Sequence, residues 1–495
     1  MQLINSQIFD NKGETNTLSA TIKNSIPFGD KLGYGIGNFS TGVAMQVVGA
    51  YLVFYATAVL GLPGSLVGAA VSVSIIWDAI TDPLMGYLSD NTRSRIFGRR
   101  HLYLIIGALG LALTNFLIWN IRAEFDYMIK FLLICLYILL FKTFMTIYVT
   151  PYTALGAEIS SDYNERTTIQ ASKTFFFLVG LAFVSVAGMY LFFQPTEEIA
   201  HGQLNPQSYS NMGLCSSIVI ILATLICYIT TKKYIPILNK QQMCIEKRIS
   251  FSTLFVSFKS AFSNVSFRLV ALCYMFNNIA SALLSNIGLH VFTYTFAMHS
   301  QEIAFIIGVQ FLVSIISQPV WGAIARRMDK KPAMILALIV CMISSILFMV
   351  LVFFKAFVAG NPLYFMAYAV TAGFGTGALF TLPLSMVADT IDIDELKTGH
   401  RSEGVYYGCL TLYYKIAQAV TLLGVGFMLD LVRFNANLPV QENSTLVFLG
   451  LILALGSFIS FAFAWISIRN YSLTEESVIS IQKQIAEISQ QSSCK

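Results

Sequence analysis

The chain has 495 residues, of which 56% are hydrophobic and 12% charged, and its mean hydropathy is +0.68. Soluble globular proteins carry about twice that fraction of charged residues, so the composition excludes a large water-soluble catalytic domain and predicts a membrane protein. The net charge of +5 is small for this length and is spread over short segments. This distribution argues against a nucleic-acid partner.

The N-terminal segment is polar and does not resemble a secretory signal. The spacing of the cysteines does not indicate disulfide cross-links. The first 30 residues lack the apolar core of a secretory signal, so we expect the first membrane segment itself to direct insertion. The eight cysteines have no Cys-x-x-Cys spacing and most lie in apolar stretches, where cysteine behaves as a small hydrophobic residue. We therefore expect no disulfides, no metal cluster and no cofactor.

Apolar runs long enough to cross a bilayer follow one another along the chain. A helix of about 20 apolar residues spans the hydrocarbon, and the ten-residue alternation typical of membrane β-barrel strands does not occur in the sequence. The pattern predicts an all-α membrane protein with twelve transmembrane helices, at 35–60, 64–89, 101–121, 130–153, 173–193, 212–231, 267–297, 302–325, 333–354, 362–387, 404–432 and 445–467.

Basic residues cluster after the second, sixth and eighth runs, whereas the loops on the other side carry few. Loops rich in Lys and Arg stay in the cytoplasm, so we expect both termini there and the helices in the inner cell membrane. Within the central loop, segment 250–263 has the pattern of a helix lying on the membrane surface. The expected divisions are a cytoplasmic N-terminal tail at 1–31, an N-terminal half at 32–231, a cytoplasmic central loop at 232–266, a C-terminal half at 267–467 and a cytoplasmic C-terminal tail at 468–495.

The two halves share a short motif at the same topological position. Asp82-Pro83 and Gln318-Pro319 are 236 residues apart, and each lies just before a basic cluster. Two parallel six-helix repeats are the organisation of the major facilitator fold, in which the substrate site lies between the halves near the midplane. We expect this fold, acting as a monomer.

A few charged residues lie inside the apolar runs, where a charge costs at least about 2.5 to 3.5 kcal/mol on insertion scales. Asp78 and Asp82 are four residues apart on one helix face, beside Thr81. Two carboxylates on one face repel each other unless a cation or a proton lies between them. The pair therefore predicts a cation site; the alternative is a structural pair that faces basic residues at the helix end.

Two lysines are the other charges inside the runs. Lys415 lies about eleven residues into its run, too deep to reach the interface, so we expect it to pair with Asp78 or Asp82; alternatively, it only joins the halves. Lys142 lies one turn from Thr146 on one face. It could complement an anionic substrate, stand in for a cation, or neutralise an aspartate.

Polar residues in the other runs complete a possible cavity, although interhelical hydrogen bonds worth about 0.6 kcal/mol each would explain many of them. Aromatic side chains among them could stack on a sugar ring, yet in membrane helices they more often serve packing. The candidates for the substrate pocket are Asn38, Gln46, Lys142, Lys173, Asn277, Tyr414 and Gln418.

Three segments carry a resemblance to a known family. They read WDAITDPLMGYLSDNTRSRIFGRRHLY, MVADTIDIDELKTGHRSEGVYYGCLTLYYK and, less specifically, PYTALGAEISSDYNERT. These are similar to signatures of the glycoside-pentoside-hexuronide:cation symporters, the family of melibiose permease, and the likeness covers about residues 25–468. It implies uptake of a sugar or sugar derivative driven by a Na⁺ or H⁺ gradient through alternating access.

The resemblance also implies roles for individual residues. Asp78 and Asp82 match the cation ligands of the family, Thr81 and Thr146 match further ligands, and Lys415 matches a lysine close to the cation site. Lys415 is thus expected to couple ion and substrate occupancy.

The two carboxylates that grip the galactosyl group in melibiose permease have no counterpart, because their positions hold Gly42 and Val149. Their loss argues against a galactoside, and Lys142 points instead toward an acidic substrate such as a uronide. A distant branch of the superfamily that moves lysophospholipids keeps the aspartate pair and the lysine, so a lipid substrate is the alternative.

The segment between Gly86 and Arg100 is expected to act as a cytoplasmic latch whose arginines pair with carboxylates when the inner gate shuts. The residues of this gate are Gly86, Asp90, Arg93, Arg99, Arg100, Glu158, Asp162 and Glu165. A sensor that has lost transport would have no reason to keep costly charges in lipid. An enzyme would need a catalytic constellation, and the five histidines look isolated in the sequence.

Overall fold

The computed structural model describes residues 26–92, 94, 97–159, 163–197, 199–236, 238, 262–398, 403–435, 438 and 441–493. Twelve helices in these ranges are long and apolar enough to cross a membrane, and no β-strand occurs there. The prediction of an all-α protein with twelve transmembrane helices is confirmed. They are α1 Phe28–Phe54, α2 Gly64–Asn91, α3 Gly98–Ile118, α4 Tyr127–Glu158, α5 Tyr163–Ala182, α6 Pro206–Thr231, α7 Val265–His290, α8 Ser300–Met328, α9 Lys330–Phe353, α10 Met366–Thr398, α11 Glu403–Leu431 and α12 Asn443–Arg469.

Short polar side chains begin several of these helices. The carboxylate of Asp126 accepts a hydrogen bond from the Met128 amide at the start of α4, and Asn205 accepts one from Gln207 before α6. Asn264 caps α7 in the same way. Such caps satisfy amides that have no partner within the helix, so at these three positions a short polar residue marks where the helix begins.

The two halves share two irregularities of the backbone. A π-helical turn continues α1 over Tyr55–Val59, and another continues α7 over Val291–Thr295, 236 positions later. The same offset relates Pro83 inside α2 to Pro319 inside α8. Irregular backbone at matching positions is what a duplicated six-helix unit produces.

The helices differ at their ends from the sequence pattern. The first helix begins at Phe28, inside the expected N-terminal tail, and a thirteenth helix, α13 Glu475–Ser493, occupies the expected C-terminal tail. Gln482 of α13 donates a 2.8 Å hydrogen bond to Asp392, which holds this polar helix against α10. The surface helix expected at 250–263 lies outside the described residues except for 262 and 263.

The helices α2 and α11 join the halves by close backbone contact at one end. We call this end the opposite side, because the basic loops, the start of α1 and the end of α12 lie at the other end, the basic side. A Cβ atom on Gly64 would lie 2.6 Å from the carbonyl oxygen of Gly426, and one on Gly68 would lie 2.5 Å from that of Leu422. Small residues let helices approach this closely in membranes, and the Asp430 carboxylate accepts hydrogen bonds from the first amides of α2.

Candidate cation and substrate site

Helices α2, α4 and α11 bring four polar side chains together between the halves. The Thr146 hydroxyl oxygen lies 2.8 Å from Asp78 Oδ1 and 2.8 Å from Asp82 Oδ1. The Lys415 ammonium lies 2.5 Å from Asp82 Oδ2 and 3.2 Å from Asp78 Oδ2. The four-residue spacing on α2 places both carboxylates on the face that meets α4 and α11.

The Thr146 hydroxyl makes both of its short contacts with one hydrogen, because a hydroxyl has no second hydrogen to donate. The single hydrogen is therefore shared between the two carboxylates or bonds one of them at a time. Three oxygen atoms from Asp78, Asp82 and Thr146 are also the kind of ligand that hard cations prefer.

The two carboxylates differ in exposure. The Asp78 side chain is 15% exposed and that of Asp82 is 37% exposed, whereas Lys415 is 12% exposed. Asp82 also lies one turn nearer the basic side. A cation that enters from the basic side would therefore meet Asp82 first and reach Asp78 after it.

Other side chains near Asp78 and Asp82 form hydrogen bonds with other groups. Thr81 donates to the carbonyl oxygens of its own helix, at Trp77 and Asp78, so the structure does not aim its hydroxyl at the carboxylates. The Trp77 indole nitrogen donates a 2.9 Å hydrogen bond to Thr143 of α4. Tyr414 is half-buried on α11, directly before Lys415 in the chain.

The remaining lysines among the pocket candidates carry no ion pair in the described part of the chain. Lys173 of α5 donates a 2.9 Å hydrogen bond to the Thr153 hydroxyl and lies 5.6 Å from the centre of the Tyr152 ring. Lys142 is half-buried on α4. Thr153 was missed in the sequence, because a threonine in an apolar run carries no signal by itself.

The neutral pocket candidates fall into two groups. Asn38 donates to the carbonyl oxygen of Lys173 in α5, and Gln46 donates to the hydroxyl of Ser185 in the π-helical turn after α5. Both therefore join α1 to this part of the N-terminal half. By contrast, the buried carbonyl oxygen of Asn277 has no hydrogen-bond partner among the described residues, and Gln418 is half-buried on α11. A buried polar atom without a partner is a candidate for contact with water or substrate.

The structure explains why a carboxylate is missing from α1. A Cβ atom on Gly42 would lie 2.4 Å from the Phe177 carbonyl oxygen and 3.2 Å from Gly180 of α5. The position faces a neighbouring helix at backbone contact, so no larger side chain fits there. Val149 on α4 is half-buried.

The predicted gate residues form a cluster inside the N-terminal half. Arg100 is paired with Asp90 at 2.5 Å and with Glu158 at 2.6 Å, and Arg99 lies 2.7 Å from Glu158. Glu165 instead pairs with Lys31 at 2.7 Å. These pairs do not depend on contact between the halves. Gly86 lies on α2 within reach of α4, while Arg93 and Asp162 lie outside the described residues.

The opposite side holds a set of contacts that the sequence did not predict. His290 at the end of α7 lies 2.7 Å from the Thr57 hydroxyl of the π-helical turn after α1. The buried Gln203, in the loop between α5 and α6, donates to Thr293 and to the Met298 carbonyl oxygen. These bonds cross from one half to the other.

Two histidines in that region correct the view that the histidines are isolated. The rings of His201 and His299 stack with centroids 4.9 Å apart, and His299 contacts the Ala200 carbonyl oxygen at 3.0 Å. The pKa of His201 is lowered, first by burial and then by the neighbouring His299, against a smaller opposing effect of Glu302. Their positions are 98 residues apart, so no local pattern could have linked them.

Comparison with known proteins identifies the family of this chain. Residues 33–475 match the family described as MFS/sugar transport protein. The chain belongs to that family. Its members and structural relatives are membrane transporters rather than enzymes, and twelve apolar helices make this member a multi-pass membrane protein.

Several transporters are similar to this family member over most of their length. The uncharacterized symporter sll1374 of Synechocystis is 27% identical over 85% of this chain and 89% of its own. The isoprimeverose transporter of Lactiplantibacillus pentosus is 23% identical over 86% and 84%, and the sodium-dependent lysophosphatidylcholine symporter 1-A of Danio rerio is 25% identical over 92% and 87%. A solved D-xylose-proton symporter matches the fold with a TM-score of 0.61 at 13% identity, over 88% of this chain and 97% of that structure.

Proposed function

We propose that this family member is a secondary active transporter that uses a Na⁺ or H⁺ gradient to take up a sugar or sugar derivative by alternating access. The observation that carries the proposal is the meeting of Asp78, Asp82 and Thr146 of one half with Lys415 of the other. Charges at this depth are costly. Because these charges pair at the contact between the halves, binding of a cation to them would affect how the halves move. The names of the relatives, which include symporters, support the same function.

The geometry supports a simple role for Lys415. Its ammonium group lies at the same carboxylates that would bind a coupling cation, so the two positive charges compete for one place. We infer that the lysine offsets part of the negative charge of the pair in the empty carrier and that the arriving cation displaces it. Displacement would break the ion pair between α2 and α11 and release the halves to move.

The sidedness follows from the basic loops. If the basic side is the cytoplasm, as the positive-inside rule indicates, the closed opposite side faces outward and the structure is an inward-facing state. Both termini would then be cytoplasmic, in the inner cell membrane. Substrate would leave through the basic side after the cation has left Asp82.

A lysophospholipid or similar amphiphile is the second candidate substrate class. The zebrafish relative covers 92% of this chain, and the backbone contact at Gly42 removes one place where a sugar-binding carboxylate could be. The aspartates and the lysine would keep the same roles. The two candidates therefore differ in substrate and share the cation site.

Uptake into proteoliposomes, with Na⁺ and pH gradients imposed separately, tests the proposed function. We expect Asp78→Asn to lower gradient-driven uptake of glycosides, pentosides, hexuronides or lysophospholipids by at least about a hundredfold, because the site loses one of two charged ligands. The matched control is Asp126→Asn, since asparagine also caps a helix and this residue is far from the site. Undiminished coupled uptake by Asp78→Asn would contradict the proposed cation site.

A further inference from the structure

Lys173 has the surroundings of a binding group rather than of a structural ion pair. Its ammonium group has three hydrogens, of which the described contacts use one, for the Thr153 hydroxyl. The Tyr152 ring supplies a weak cation–π contact at 5.6 Å. The lysine lies five residues inside the apolar span Thr168–Phe192, roughly 7.5 Å along α5 from its basic-side end, and it contacts a neighbouring helix there instead of an acidic partner.

Lys142 and Thr153 extend the same surface along α4. Positions 142, 146, 149 and 153 follow the spacing of a single helix face. Thr146 on this face contacts the aspartates of α2, and Thr153 contacts Lys173 of α5. The face therefore runs from the cation site to Lys173, with Lys142 one turn beyond Thr146 on the side away from Thr153.

The charges along this surface do not balance. Away from the helix ends, the described parts of α2, α4, α5 and α11 carry two carboxylates, Asp78 and Asp82, and three ammonium groups, on Lys142, Lys173 and Lys415. A coupling cation would add one more positive charge. Excess charge between membrane helices is costly, and a neutral sugar would do nothing to reduce it.

We propose that the substrate carries an anionic group, a carboxylate, sulfonate or phosphate, which the Lys173 ammonium and the Thr153 hydroxyl bind, while Lys142 contributes a second positive charge along the same face. This inference rests on the proposed function and adds the charge of the substrate to it. Charge-assisted hydrogen bonds from an ammonium group suit such oxygens. An anionic substrate also explains how a transporter holds a cation and three lysines together.

Matched pairs of compounds test this proposal in proteoliposomes under the gradient that drives uptake. The pairs are glucosides against the corresponding glucuronides and neutral sugars against their phosphates, with lysophosphatidic acid against monoacylglycerol as a lipid arm. We expect the anionic member of a pair to be taken up, or to compete, at least about tenfold better. Preference within the sugar pairs or within the lipid pair identifies the source of the anion.

Variants assign the preference to the lysine. Lys173→Gln should raise the KM for the anionic member by about ten- to a hundredfold, the loss of one charge-assisted contact, and leave any neutral competitor unchanged. Lys173→Arg should retain most of the preference, and Lys355→Gln, outside the spans, should behave as wild type. Equal uptake of neutral and anionic members, or an unchanged KM in Lys173→Gln, would overturn the proposal.

A separate readout distinguishes this failure from failure of the proposed function. Cation binding in the absence of substrate, measured calorimetrically, depends on the aspartates and not on Lys173. If cation binding and coupled uptake survive while neutral compounds are preferred, only the anionic substrate is wrong. If Asp78→Asn leaves coupling intact, the proposed function itself fails.

Discussion

Helices α2 and α11 meet twice, and the two contacts are of opposite kinds. Near the opposite side, Gly64 and Gly68 pack against the backbone of α11 with no room for a side chain. Three to four turns further along α2, Asp78 and Asp82 meet Lys415 through charged groups that a small cation could replace. One contact depends on shape and the other on charge.

The difference suggests that the two contacts between α2 and α11 have different functions. A close glycine contact forms or opens as a whole, because its stability comes from backbone packing. An ion pair can be exchanged for another cation at the same place. We therefore interpret the glycine contact as the seal of the opposite side and the ion pair as the part that responds to the coupling ion.

The largest effect should follow from a change that blocks the seal. Gly68→Val would put a side chain 2.5 Å or less from the Leu422 carbonyl oxygen, so the halves could no longer close on the opposite side. Uptake should fall to about background, and a cysteine at Ser72 should react with a membrane-impermeant thiol reagent added on that side. Gly424→Val is the matched control, since a Cβ there would meet nothing within 4 Å. Normal uptake by Gly68→Val would show that this contact is not a seal.

A smaller effect should follow from removing the charge on Lys415. Lys415→Met leaves both carboxylates without their ammonium partner, so the coupling cation should bind about tenfold more tightly and leave more slowly. Net uptake should fall by about tenfold, while exchange of substrate across the membrane should persist. Lys415→Arg keeps the charge and should be affected less; weaker cation binding in Lys415→Met would contradict competition between the lysine and the ion.

The smallest effect concerns pH at the histidine pair. Burial and His299 lower the pKa of His201 below its ordinary value of 6.5. Protonation of His201 is therefore unfavourable while the opposite side is closed. Closure should therefore be fully stable above about pH 6.5 and weaken as the pH falls below that value toward the lowered pKa. Without substrate or gradient, labelling of the Ser72 cysteine should rise a few-fold between about pH 8 and pH 5.5. In His201→Gln the rise should be smaller; an equal rise would exclude this histidine as the cause.

The sequence predicted the fold and the pairs that local spacing creates. Twelve apolar runs predicted twelve helices for two reasons. A run of about 20 apolar residues is long enough to span the hydrocarbon as a helix. In a bilayer the backbone amides and carbonyls must also form hydrogen bonds within the protein, which a helix achieves. Asp78 and Asp82 were recognisable because a four-residue spacing places two side chains on one face. The depth of Lys415 in its run suggested a partner in the other half, and the structure places it against both aspartates.

Contacts between distant segments were beyond such reasoning. The orientation of Gly42 toward α5 depends on how α1 is rotated in the bundle, which one sequence does not reveal. Gln203 and the stacked histidines lie in loops whose partners are far along the chain. Neither Gln203 nor Thr153 differs locally from any other polar residue, so only the assembled fold showed their partners.

The central claim is that Asp78 and Asp82 hold the coupling cation in competition with Lys415. Its most direct test is cation binding to purified protein without substrate, measured calorimetrically. Na⁺ is titrated at fixed pH, and protons are titrated in Na⁺-free buffer. We predict one saturable cation site in the wild type that is lost in Asp78→Asn and tightened about tenfold in Lys415→Met. Binding of Na⁺ and protons by Asp78→Asn with wild-type affinity would contradict the account.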